Sequence, residues 1–268
     1  MPELPEVETI RRQLEPLFQG EGIKDVTIHT PYLIKNTSPE VFRKALSGKK
    51  IDKFSRIAKF LVFECSGVYP VFHLGMSGIF LTDKSESKYP QHIHVELHFG
   101  SGKNLYFQDM RKFGKVWLFD KYPNFPTIGH DPTIKTLTID ILKGMLQKRK
   151  LNMKAFLMDQ SIIAGIGNIY ASEILFQSGI SPLRKAGDLT DAEIKRLHQS
   201  VHYILNAAID NFGTTYSAYQ TVTGKPGENQ NFLKVYQRSG ESCFNCDGQI
   251  KKIVLGSRST FFCENCQK

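Results

Sequence analysis

No run of apolar residues in this chain approaches the ~20 that a membrane-spanning helix needs, which excludes a protein threaded through a bilayer by helices. The opening Met-Pro-Glu-Leu-Pro-Glu-Val-Glu is acidic and broken by prolines, unlike the basic-then-apolar pattern of a secretory signal. The expectation is a cytoplasmic protein. Internal repeats and low-complexity tracts are absent as well. Negative charge is in short supply: 26 Asp+Glu face 35 Lys+Arg, a formal net charge of +9. Such a surplus attracts a polyanion, and release of condensed counterions makes the attraction salt-dependent. Cysteine is scarce too. Of the five, four form Cys243-x-x-Cys246 and Cys263-x-x-Cys266, a pattern that in a reducing cytosol argues for metal rather than disulfides. Cys65 stands alone in an apolar run and reads as a small core hydrophobe.

What remains is ordinary for a globular protein of one or two domains: 268 residues, 41% hydrophobic and 23% charged. Leu4, Val7, Ile10, Leu14 and Leu17 recur at helical steps, with Pro5 suited to a first turn. From about residue 23 to 120 the texture changes to short apolar stretches split by turn formers. Examples are Phe60–Phe63, Val71–Leu74 and Val116–Phe119. The strict alternation of His92 to Phe99 predicts a half-buried strand, and the whole region a β-sandwich or barrel. A turn-rich linker follows, Tyr122 to Pro132. Beyond it Thr190-x-x-Glu193 forms a capping box for a helix with the apolar stripe Ile194, Leu197, Val201, Leu205 and Ala208. The polar stretch Thr214 to Asn231 has no period and is long for a connection, so it is either functional or mobile.

The two cysteine pairs can surround one Zn²⁺ tetrahedrally, each turning on a tight knuckle. Between them, Ile250–Val254 and Arg258–Phe262 read as a hairpin. Metal ligation would fold a hairpin too small to be stable alone and would hold Arg258 rigidly, as a phosphate grip or simply as a stapled tail.

Several segments, spread over the chain in order, resemble the formamidopyrimidine-DNA glycosylase family. They are Met1-Pro2-Glu3-Leu4-Pro5-Glu6-Val7-Glu8-Thr9, His73-Leu74-Gly75-Met76-Ser77-Gly78 and Asp109-Met110-Arg111-Lys112-Phe113-Gly114. They continue with Asp159-Gln160, Ala164 to Glu173, and the cysteine module ending Cys266-Gln267. The resemblance implies an α+β fold: an N-terminal β-sandwich with flanking helices, then a helix–two-turns–helix domain with a zinc-finger β-hairpin, DNA lying in the cleft between. The expected boundaries are 1–122 for the catalytic sandwich, 123–135 for the linker, 136–232 for the helical DNA-binding domain and 233–268 for the four-cysteine zinc finger.

The resemblance further implies a bifunctional DNA glycosylase and abasic-site lyase of base excision repair. It implies removal of Met1, leaving Pro2 as a nucleophilic terminus. A terminal amine titrates near pH 8, so a useful fraction is neutral at pH 7. Proline's secondary amine gives an iminium with no N–H to lose, an electron sink for elimination. Glu3 would be the proton donor and acceptor, and Glu6 a buried carboxylate supporting the terminus. Both also suit a helix N-terminus, where the dipole favours acids. Lys59 aligns with the lysine of β-elimination and phosphate contact, although Ile57-Ala58 replaces the usual Arg-Gly. Arg258 matches the zinc-finger arginine assigned to δ-elimination.

Extruding a base costs a few kcal/mol, and something must fill the vacancy. By resemblance Met76 fills it, Arg111 bonds the orphaned partner base and Phe113 wedges the opposite stack. Asn168, His92 and Arg149 align with DNA contacts, Asn168 also being placed to cap the helix that follows it. His92, His94 and His98 would share a strand face, where a second metal is conceivable. Damage reading would fall to Thr214–Gln230. There Asn211-Phe212-Gly213 replaces a Gly-Gly pair, Gln237 replaces a common Gly, and Ser77 stands where some relatives carry Glu. The implied partner is double-stranded DNA bearing oxidised purines or abasic sites, bound by a bacterial monomer with one structural Zn²⁺. Two rivals are a relative preferring oxidised pyrimidines, similar to endonuclease VIII, and a zinc-finger DNA-binding protein without catalysis.

Overall fold

The computed structural model describes residues 2–133, 137–216 and 219–268. Met1, residues 134–136 across the expected linker boundary, and residues 217–218 of the expected reading segment lie outside that description. The chain forms two units, Met1–Phe125 with Asn211–Gln230, and Pro126–Asp210 with Asn231–Lys268.

In the first unit helix α1 (Leu4–Phe18) opens the chain. Its buried stripe is Leu4, Val7, Ile10, Leu14 and Phe18; the expected Leu17 is 37% exposed. A 3.6-residue period carries the stripe from position 14 to 18, so Phe18 takes the place that three-residue counting gave to Leu17. Two four-stranded antiparallel sheets follow. One has the order β1 (Ile23–Ile28), β6 (Ile93–Phe99), β7 (Asn104–Asp109), β5 (Gly78–Leu81). The other has β2 (Ile51–Ile57), β3 (Phe60–Cys65), β4 (Tyr69–His73), β8 (Lys115–Phe119). A short helix, α2 (Pro39–Leu46), starts at a Ser38 cap. The sheets share one core across which Phe72 meets Phe80 at 5.1 Å and Phe107 at 5.4 Å between ring centroids. Inward-facing aromatics from both sheets thus make a β-sandwich.

Strand β6 begins at Ile93, with His92 in the turn before it, and it is almost wholly buried rather than half-buried. Its polar face is covered by side-chain partners: His94 meets Thr30, Glu96 meets His29 and Lys84, and His98 meets Thr27 and Asn104. Alternation located the two faces correctly, but satisfied polar groups bury as readily as apolar ones.

The described residues of 211–230, expected within the helical domain 136–232, belong to the first unit. Val222 accepts a hydrogen bond from the Thr82 amide (3.2 Å) and donates its own amide to Gln13 Oε1 (3.1 Å). Tyr219 and Val222 join the sandwich core.

The second unit contains α3 (Ile139–Leu146), α4 (Met153–Met158), α5 (Asn168–Ser178) and α6 (Asp191–Asp210), and a hairpin of β9 (Ile250–Leu255) and β10 (Arg258–Cys263). At the start of α6, Thr190 Oγ1 accepts from the Glu193 amide (3.4 Å) while Glu193 Oε2 accepts from the Thr190 amide (2.8 Å). All five predicted stripe residues of α6 are buried. A separate small core of Phe176, Val235, Ile250 and Phe261 seats the cysteine module. Among the described residues no helix is long and apolar enough to cross a membrane.

Candidate active site and metal centre

At the start of the chain Pro2 is buried and Glu3 and Glu6 are 2% and 1% exposed. Pro5 costs no hydrogen bond so early in α1. The Glu6 carboxylate is the junction: Oε2 accepts from the Glu3 amide (2.7 Å) and Oε1 from the Thr214 amide (2.8 Å). The second contact needs Gly213, whose φ is +78° and whose added Cβ would lie 3.0 Å from Glu6 Cγ and Oε1. The Tyr219 hydroxyl, raised well above its ordinary pKa by burial and then by the Glu6 charge, stays protonated and donates to the Phe212 carbonyl at 2.9 Å. A buried carboxylate therefore organises both the terminus and the segment after α6.

Lys59 occupies the two-residue turn between β2 and β3 and is only 8% exposed. Ala58 before it has φ 53°, so the turn keeps the left-handed backbone that glycine would supply. Arg56 fixes the turn by donating to the Ala58 carbonyl (2.9 Å) and to Glu8 of α1 (3.1 Å). Burial works against the Glu8 charge, but hydrogen bonds from Arg11 and the neighbouring Arg56 and Arg11 guanidiniums prevail and lower its pKa. His73 lies across the strands from Phe60 and Lys115. Burial, then the charges of Lys59 and Lys115, push its pKa down to about 4, and its Nδ1 accepts from the Gly75 amide at 3.2 Å.

The topology explains why Met76, Arg111 and Phe113 come together. The chain leaves β4 for β5 through residues 74–77, and leaves β7 for β8 through 110–114. Because β5 pairs with β7 and β4 with β8, the two crossovers run side by side from sheet to sheet. At Gly75 (φ +59°) an added Cβ would sit 2.6 Å from the Gly114 amide nitrogen, so the loops touch backbone to backbone. Phe113 is 50% exposed, with the Arg111 guanidinium 4.8 Å above its ring. Met76 is half-buried and lines a cavity of about 440 Å³ with Tyr89, Gln108, Met110, Arg111 and Gln220. His92 stands nearby in sequence to Tyr89, against which its ring lies edge-on at 6.3 Å. The His94 and His98 rings are engaged in hydrogen bonds with Thr30, the Asp109 carbonyl, Thr27 and Asn104.

In the second unit Asn168 is the first residue of α5, and Gly167 holds the cap position expected for it. The cap leaves the Asn168 amide free to reach β10, where Nδ2 donates to the Ser259 carbonyl at 3.0 Å, one residue from Arg258. Arg258 opens β10 just after Gly256 (φ 53°) and Ser257 (φ 64°), the positive-φ pair of a type I′ hairpin, and is exposed. Arg149 is exposed beyond α3 and donates to the Met145 carbonyl at 3.3 Å.

Two groups without a role in the sequence reading emerge here. Lys154, buried, donates to the Asn168 carbonyl (2.9 Å) and Ser172 Oγ (2.6 Å) beneath the start of α5. Glu173, 3% exposed, accepts from the amides of Lys234 (2.8 Å), Val235 (3.0 Å) and Tyr236 (2.8 Å). Burial raises its pKa against the pull of those amides and of Arg238. A charged residue inside an otherwise apolar helix was the available signal for both.

The sulfurs of Cys243, Cys246, Cys263 and Cys266 lie within 4.8 Å of one another. Four ligands at Zn–S ≈ 2.3 Å require sulfurs ~3.8 Å apart. Cys243–Cys266 at 3.8 Å and Cys246–Cys263 at 3.5 Å fit that tetrahedron. Amides of Asn245 and Gly248 point at the Cys243 and Cys246 sulfurs, both at 3.4 Å, as knuckles do around thiolates. Gln267 bridges the Cys263 amide and the Ile180 carbonyl, tying the module to its unit. The donor set fits one structural zinc ion. Cys65, its thiol pushed up to about 12 by burial and then by Asp52 and Glu64, is chemically quiet.

Comparison with known proteins agrees with this geometry. Residues 1–116 match the formamidopyrimidine-DNA glycosylase N-terminal domain, residues 128–220 its H2TH domain, and residues 240–268 a zinc finger found in FPG and IleRS. Formamidopyrimidine-DNA glycosylase of Pediococcus pentosaceus is 41% identical over 273 residues, covering 100% of this chain and 99% of the relative. That of Symbiobacterium thermophilum is 39% identical over 272 residues, covering 100% and 89%. Among solved structures, a Lactococcus lactis FPG mutant bound to Fapy-dG-containing DNA superposes with a TM-score of 0.91 at 33% identity, over 100% of both chains. The wild-type Lactococcus lactis protein with DNA containing an oxidized pyrimidine gives 0.89 at 33%, again over 100% of both. The chain therefore belongs to the formamidopyrimidine-DNA glycosylase family of zinc-containing DNA-repair enzymes.

Proposed function

We propose that this enzyme removes oxidised purines, 8-oxoguanine and formamidopyrimidines, from double-stranded DNA and then cleaves the strand, with Pro2 as nucleophile. The observation that carries the reading is the buried Pro2-Glu3 start of α1, braced by Glu6, in a chain whose family acts on DNA bases. After removal of Met1, the Pro2 nitrogen lone pair attacks C1′ of the extruded nucleotide. The glycosidic bond breaks with its electrons passing to the base, which takes a proton. Glu3 relays protons to the sugar oxygen and leaving base as the ring opens to an iminium. Loss of the 2′-proton into that electron sink expels the 3′-phosphate, with Lys59 assisting this β-elimination. A second elimination, served by Arg258 at the phosphate, expels the 5′-phosphate, and hydrolysis of the iminium returns Pro2.

Met76, Arg111 and Phe113 fill the vacated stack, and exposed placement of the last two on adjoining loops supports that role. Arg149, Asn168 and His92 contact the DNA backbone. The expected domain division, with residues 211–230 transferred to the catalytic part, and a monomeric cytoplasmic state belong to the same reading. Glu3→Gln separates its steps: base excision from 8-oxoguanine duplexes should fall by about 10²–10⁴, the usual worth of a general acid–base, while strand cleavage at a preformed abasic site falls far less. Equal loss at both would remove Glu3 from base release. A lesion panel including an oxidised pyrimidine measures the substrate preference, and faster excision of the pyrimidine would contradict the purine assignment.

A further inference from the structure

Asp109 ends β7 fully buried, at 0% exposure, and its carboxylate is consumed by groups from both crossovers. Oδ1 accepts from Ser77 Oγ at 2.5 Å and from the Arg111 amide at 3.2 Å; Oδ2 accepts from the Gly114 amide at 2.6 Å. Ser77 Oγ in turn accepts from the Arg111 amide at 3.0 Å. The Asp109 carbonyl is bonded to His94 Nε2 at 2.8 Å, whose Nδ1 meets Thr30 Oγ1 at 2.8 Å, so the anchor is fixed to the sheet behind it. Each residue assigned to the vacated stack is one position from a group in this cluster, or belongs to it: Met76 beside Ser77, Phe113 beside Gly114, and Arg111 through its own amide. Lys112, between Arg111 and Phe113, has φ 54°, a conformation a lysine holds only when its surroundings impose it.

We infer that Asp109 is a positioning residue that makes Met76, Arg111 and Phe113 act as one wedge, through Ser77 and the amides of Arg111 and Gly114. This rests on the reading that those three residues enter the duplex. Asp109 is fully buried and acts only through the loops it ties. With the carboxylate intact the three side chains present a single preorganised surface. Without it the two crossovers move independently, and base extrusion loses a support that opening of a single strand never required.

The test uses the full-length zinc-loaded protein and two substrates, an 8-oxoguanine duplex and a single-stranded oligonucleotide with an abasic site. Asp109→Asn puts an amide N–H₂ against a donor. It should lower kcat/KM on the duplex roughly tenfold or more, while cleavage of the abasic single strand stays within about threefold. Ser77→Ala should show the same selectivity more weakly and serves if Asp109→Asn folds poorly. 2-Aminopurine placed opposite a tetrahydrofuran site should brighten when the wild type binds and stay dim with Asp109→Asn. Combining Asp109→Asn with Met76→Ala should cost clearly less than the sum of the two. Equal losses on both substrates, full 2-aminopurine response in Asp109→Asn, or strict additivity would overturn the inference. A wild type inactive on abasic strands would count instead against the lyase reading, with the fluorescence still deciding the wedge.

Discussion

The imidazole of His73 is held neutral beside Lys59 and Lys115, and this has a consequence for acid stability. Unfolded, the ring takes a proton near its ordinary 6.5; folded, only near 4. Between these values the unfolded chain binds the proton and the folded one does not. Stability from this group is therefore full above pH 6.5 and is lost as pH falls toward 4, at up to about 1.4 kcal/mol per unit. Urea unfolding between pH 7 and 4.5 should show a steeper decline for the wild type than for His73→Asn; parallel curves would contradict the assignment. A second residue-scale effect is backbone strain. Ala58, Phe212 and Gln237, at positions where the resemblance leads to an expectation of glycine, all have positive φ, at 53°, 57° and 64°. At each of the three, a side chain carries the cost of a left-handed backbone. Gln237 is exposed, so Gln237→Gly should stabilise by about 0.5–1 kcal/mol in urea unfolding, and Gln237→Val should destabilise.

Among elements, those specified by local chemistry were the most legible. The capping box and stripe of α6 and the two cysteine knuckles follow from neighbours three or four positions apart. The placement of residues 211–230 does not, because its anchors are distant: Glu6 reaches Thr214 across 208 positions and Gln13 reaches Val222 across 209. A polar stretch with two buried anchors, Tyr219 and Val222, reads as a loop until its partners are known. Asp109 and Glu173 escaped assignment for a related reason, since their partners are mostly backbone amides, which nearly every residue offers. Asn168 was misplaced by one position because Gly167 took the cap. The cysteine module has its own small core, so Cys243→Ser should release zinc and weaken DNA binding about tenfold or more, while the sandwich and helical cores keep their far-ultraviolet dichroism. Undiminished affinity in the metal-free variant would contradict this.

For the whole molecule, an excess of nine positive charges makes DNA binding an ion-exchange process. With roughly four phosphate contacts, affinity should fall about a hundredfold between about 50 and about 200 mM salt, and Arg258→Ala should reduce the slope by about one ion. A slope unaffected by that substitution would place Arg258 off the phosphates. The proposed chemistry depends on a covalent bond between the Pro2 nitrogen and the sugar. Borohydride reduction of the enzyme on abasic DNA, followed by mass spectrometry of the adduct, tests it most directly. The deoxyribose remnant should be found on the nitrogen of Pro2, with Met1 absent. An adduct on another residue, or active enzyme retaining Met1, would contradict the mechanism.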